Sequence, residues 1–156
     1  MTDLLHPVSD PPPAASDRPP AVPEIHRPAM RGAAVIAADV AQDELLGPLF
    51  NDVAQVDWSE HLPKLTAFWC RALLGIPGYV GNPFQAHAHI HSQQPFTVER
   101  FERWLSLFHE TLDLGWVGPR ADRAAELADN VARVHSQQLI GHAVAVAAPH
   151  EPTNVR

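Results

Sequence analysis

The sequence has one cysteine, Cys70, which rules out a disulfide within the chain and a cysteine-based zinc cluster. Basic residues are scarce. Eleven Lys and Arg stand against 18 Asp and Glu, and the net charge of −7 would repel a phosphate backbone or an anionic membrane surface. Neither nucleic acid nor a membrane is therefore expected as a partner. No apolar run is long enough to span a bilayer, and the opening MTDLLHPVSDPPP lacks the basic lead and apolar stretch of a secretory signal, so a cytoplasmic location is expected. No segment alternates β-branched with polar residues between hairpin turns, and no repeat of solenoid period is present. The expected class is all-α, built on one core in a chain of 156 residues.

Proline and histidine are what the sequence has in excess, 16 and 10 residues. Half of the prolines lie before residue 32, from Pro7 to Pro28, where they remove backbone donors and fix φ. Residues 1–31 are therefore expected to be a disordered tail, 32–142 a folded domain, and 143–156 a frayed C-terminal tail. Within the domain, GAAVIAADVAQDELLGPLF predicts a weakly amphipathic helix with Val35, Ala38 or Asp39, Gln42 and Leu45 or Leu46 in register, stopped by Gly47-Pro48. The stretch VDWSEHLPKLTAFWCRALLGIPG predicts a second helix. Trp58, His61, Leu62, Leu65, Phe68, Trp69, Ala72 and Leu73 share one face of it, and Gly75 ends it.

Asn82-Pro83 is the N-cap and first position of a short helix with Phe84, His87, Ala88 and His91 on one stripe. Thr97 caps a strongly amphipathic helix carrying Phe101, Trp104, Leu105, Phe108 and Leu112. Gly118-Pro119 opens the last helix. Its predicted stripe runs through Ala121, Ala124, Ala128, Val131, Val134 and Gln138 to about Gly141.

Three polar-tipped side chains fall on apolar faces of three different helices: His61, His87 and Trp104. A planar iron cofactor would use such a set economically. One imidazole ligates the metal while another imidazole and an indole N–H meet whatever binds on the opposite face, and haem fits that description. Two other readings are open on these residues. His87 and His91, at i and i+4, could join His61 or a carboxylate around zinc, or the helices could form an interaction module with histidines in its core. His109, His135 and His142 are expected at the surface, and Cys70 is expected to be an unreactive apolar thiol.

The succession LLGPLF, WSEHLPKLTAFWCRALLG, YVGNPFQAHAHI and FERWLSLFHETLD closely resembles the third group of truncated haemoglobins, over about residues 45–139. The resemblance implies a shortened globin fold, two helices over two, around haem b. It assigns His87 to the iron, His61 and Trp104 to the distal side, Phe68 to the haem face, and Tyr79 to the element that positions the proximal helix. Lys64, beyond His61, would reach a haem propionate. The implied partners are diatomic gases (oxygen, carbon monoxide, nitric oxide) with a reductase for the iron, and nitric oxide or peroxide detoxification is an open side activity. Ala37 falls where most members of the family carry a distal tyrosine, which removes one hydrogen-bond donor to the ligand.

Overall fold

A computed structural model describes residues 27–146, and the expected tails at 1–26 and 147–156 lie outside that range. Five α-helices follow one another: α1 (Arg27–Gln42), α2 (Trp58–Leu74), α3 (Pro83–Gln93), α4 (Val98–Gly115) and α5 (Pro119–Ile140), with a π-helical turn at Leu49–Val53 between the first two. There is no strand among the described residues. No described helix is long and apolar enough to cross a membrane. Helix α1 pairs with α2 and α4 with α5, while α1 also lies on α4 and α2 on α5, which makes two layers of two helices.

Asn82 and Thr97 cap their helices as the sequence predicts, and Asp57 caps α2 as well. Asp57 takes the Ser59 amide at the start of α2, Asn82 takes that of Gln85 ahead of Pro83, and Thr97 takes that of Arg100. Helix α2 ends on Gly75 and α5 on Gly141, both left-handed at φ near +70°, where a Cβ would be strained.

Three boundaries differ from expectation. Helix α1 begins at Arg27, so the folded part reaches back ahead of Gly32, with Pro28 tolerated in a first turn whose amides have no helical partner anyway. It ends at Gln42 rather than running on to Gly47-Pro48, because Asp43 Oδ1 accepts the amides of Leu45 and Leu46 and turns the chain. At the other end Val144, expected in a frayed segment, is buried in the core, and its amide donates to Ser136 Oγ at 3.0 Å.

The main core joins Phe101, Leu105 and Phe108 of α4 to Ala124, Ala128 and Ala132 of α5, with Trp69 and Trp104 packed against it. Burying each of the large side chains contributes roughly 1.5–3 kcal/mol. The buried face of α1 is Ala33, Ala37 and Val40, one step round from the Val35, Asp39 and Gln42 register predicted; in an alanine-rich helix weak contrast between faces leaves the choice to packing. Small residues form the buried faces of α1 and α5. Near the end where α1, α2, α4 and α5 converge they leave an apolar cavity of about 140 Å³, lined in part by Ile36, Leu73, Leu112 and Trp116.

Candidate functional site

Helix α3 packs on α5 and scarcely touches α2. None of its residues is fully buried, although its stripe carries Phe84, His87, Ala88 and His91. The apolar face of α2 is in the same condition: Leu62, Leu65, Phe68 and Trp69 are only partly buried, and Cys70 alone in that helix is buried outright. Large apolar side chains left partly open on α2 and on α3 offer surface to a flat apolar group.

On the α3 side the central residue is His87. Its Nδ1 lies 2.9 Å from Nδ1 of His135 on α5, the rings being close to perpendicular at 80° with centroids 5.0 Å apart. Its Nε2 makes no hydrogen bond among the described residues, and Phe96 stands against the ring. Burial, then the neighbouring His135 and His61, push its pKa down to about 4, so at neutral pH His87 is an uncharged imidazole with a lone pair to offer.

On the α2 side His61 is partly buried, edge-on to Trp58 at 5.8 Å. Burial first, and then Lys64, lower its pKa, so it too is neutral. Phe68 lies edge-on to both Trp69 and Tyr79, at 5.2 and 5.4 Å. Tyr79 is held in the α2–α3 connection, where Arg71 Nη1 donates to its carbonyl and Gly81 leaves room for its hydroxyl; a Cβ at Gly81 would stand 2.9 Å from that oxygen. Trp104 comes from α4, tilted against Phe108, and its indole N–H has no acceptor among the described residues. Lys64 is exposed and makes no ion pair there. The structure thus sets His61 and Phe68 partly buried on α2, His87 partly buried on α3 and Trp104 partly buried on α4, and leaves Lys64 in solvent.

The zinc arrangement does not form. No group of three His, Cys, Asp or Glu residues able to hold a metal ion occurs among the described residues. His91 is already committed, its Nδ1 accepting the Phe96 amide at 2.9 Å to tie off α3, and His89 turns toward Gln93.

Two residues enter the site that sequence reasoning did not place there. His135, expected at the surface, is buried, with Phe84 edge-on to its ring at 5.4 Å. Its signal was present: Ala124, Ala128, Ala132 and His135 keep the helical period, but the larger Val131 and Val134 drew the predicted stripe one position away. Arg100, one turn before Trp104, has its Nε buried without a partner while Nη1 donates to the Pro95 carbonyl. Nothing in its local sequence marks it. His109 is bonded to Asp129 at 2.7 Å and is half-exposed, and His142 is exposed as expected.

The residues present fit haem. The partly open side chains of α2 and α3 are largely apolar and aromatic, a neutral imidazole has one nitrogen without a hydrogen-bond partner among the described residues, and a guanidinium with an orphaned buried N–H stands near the α3–α4 turn, where an anionic group would satisfy it.

No family model matches the chain. It is 40% identical over 78 residues to the group 3 truncated haemoglobin ctb of Campylobacter jejuni, a match spanning 48% of this chain and 59% of that relative. A crystal structure of a group III truncated haemoglobin from Campylobacter jejuni superposes with a TM-score of 0.66 at 30% identity, covering 73% of this chain and 90% of that one.

Proposed function

Since this chain belongs to the group III truncated haemoglobins, with their shortened two-over-two globin fold, we propose that it binds haem b between α2 and α3 and takes up a diatomic gas reversibly. The observation that carries the reading is His87: neutral, bonded through Nδ1 to His135, and free at Nε2 on the uncovered side of α3. When bound, haem would supply an iron that His87 could hold and that could take up a gas.

The chain's own residues then have distinct tasks. His87 would hold the metal through its Nε2 lone pair. Phe68 and the apolar face of α2 exclude water from one side, and Tyr79 and Gly81 set where α3 begins. Trp104 and neutral His61 each carry an N–H that can be given to a polar ligand, which strengthens as the surroundings dry. Ala37 has no polar atom to add. Arg100 and Lys64 supply the cations for carboxylates at the rim. The same arrangement favours ligand binding as the primary role, with nitric oxide or peroxide consumption secondary to it.

Absorption spectra of the haem-loaded chain in ferric, ferrous and carbon monoxide forms test this. A Soret band that shifts on reduction and again with carbon monoxide, and is lost in His87→Ala, is expected. A wild-type spectrum indistinguishable from free haem, or unchanged haem content in H87A, overturns the assignment.

A further inference from the structure

We propose that His135 is the positioning residue of the iron ligand: it accepts the Nδ1 proton of His87 and so sets the tautomer, the ring orientation and the donor strength of that imidazole. The proposal rests on the reading of His87 as axial ligand.

Proton counting decides the direction of the bond. Two Nδ1 atoms at 2.9 Å share one proton, so one ring donates and the other accepts. If His135 donated, His87 would carry its own proton on Nε2 and have no lone pair for a metal. If His87 donates, its Nε2 is free and His135 keeps its proton on Nε2. Only the second arrangement yields a ligand, and it gives the otherwise unexplained histidine of α5 a function.

The surroundings hold His135 to that task. It lies 48 positions from His87 in sequence and is delivered by α5, the helix on which α3 rests. It is 9% exposed, Phe84 of α3 stands edge-on to it, and its neighbour Ser136 is wholly buried with Oγ donating to the Arg133 carbonyl and accepting from Val144. A ring so enclosed cannot swing away, so the perpendicular setting of the two rings fixes the azimuth of His87 as well. A metal-bound histidine commonly gives its second N–H to a carboxylate, a backbone carbonyl or water. An imidazole acceptor is more basic than a carbonyl and uncharged, unlike a carboxylate. It pulls the proton part of the way and leaves His87 a stronger donor than an unpartnered imidazole.

The test uses the full chain loaded with haem, in wild type, His135→Phe and His135→Asp. The iron–histidine stretching band of the ferrous, gas-free protein and the ferric/ferrous midpoint potential are both read. H135F, which keeps the ring volume without an acceptor, is expected to lower the band and raise the potential; H135D, an anionic acceptor, is expected to do the reverse. Opposite shifts are what a merely structural role would not give. Bands and potentials equal to wild type in both variants overturn the proposal. A third form covers the case in which neither folds: His87→Gly supplied with imidazole, which has an N–H to donate, should show a higher band than with 1-methylimidazole, which has none, and equal bands overturn the proposal. A wild-type chain with no iron–histidine band at all sinks the haem reading itself, a separate failure.

Discussion

Arg103 Nε donates to Asp43 Oδ2 at 2.6 Å, joining residues 60 positions apart, while Oδ1 of the same carboxylate accepts two amides at the end of α1. Burial alone would raise the Asp43 pKa, but the bonds from Arg103, Leu46 and Leu45 outweigh it and hold the carboxyl below its usual range. One side chain therefore ends α1 and ties it to α4 beside Trp104. Asp43→Ala is expected to destabilise the chain by about 2 kcal/mol, since it orphans two amides as well as the guanidinium. Arg103→Met, which leaves both amide bonds to Asp43 in place, should cost less. Denaturant midpoints measure both; equal costs would show that the amide bonds contribute nothing.

Acid should weaken the haem-free chain through its buried histidines. Burial is the leading cause that lowers the pKa of His61, His87 and His135, so the folded state binds fewer protons than the unfolded one below pH 6.5, and stability falls as pH drops from there toward about 4. His87 accounts for on the order of 3 kcal/mol of that loss. Unfolding free energies compared at pH 7 and 4.5 should differ in wild type and differ by less in His87→Leu, where His61 and His135 still titrate. A wild-type chain equally stable at both values contradicts the burial of these rings.

Ligand retention should respond to donors added and removed. Ala37 sits on the buried face of α1, and Ala37→Tyr is expected to slow oxygen release while costing about 1–3 kcal/mol of stability for the added volume. Trp104→Phe, which deletes the unpartnered indole N–H, should speed release about tenfold or more, the equivalent of one hydrogen bond. Stopped-flow dissociation rates decide each case; a rate unmoved by A37Y shows that the phenol does not reach the ligand.

Gly47 is held by sterics rather than by φ. A Cβ there would lie 2.8 Å from the backbone oxygen of Ala41, which also accepts from Asn51 Nδ2. Gly47→Ala is expected to lower stability by roughly 1–3 kcal/mol, because backbone at the close of α1 must move to admit the methyl. A thermal melt suffices, and an unshifted midpoint would mean that the turn yields freely.

The sequence by itself determined what depends on short range. Caps at Asn82 and Thr97, stops at Gly75 and Gly141, and the apolar faces of α2 and α4 follow from turn chemistry and helical period, so the all-α class was legible. Tertiary structure decided the rest. Asp43 ends α1 with its own turn and is joined there to a guanidinium from α4, the buried face of alanine-rich α1 is chosen by its neighbours, and Val144 is drawn into the core by a serine hydroxyl on α5. His135 is the sharpest case. Its periodicity allowed burial, but a partner 48 residues away, reached only when α3 lies on α5, converts a surface-type residue into the companion of His87. Local pattern sets which side of a helix is apolar; which polar group on that side meets another is settled only when helices dock.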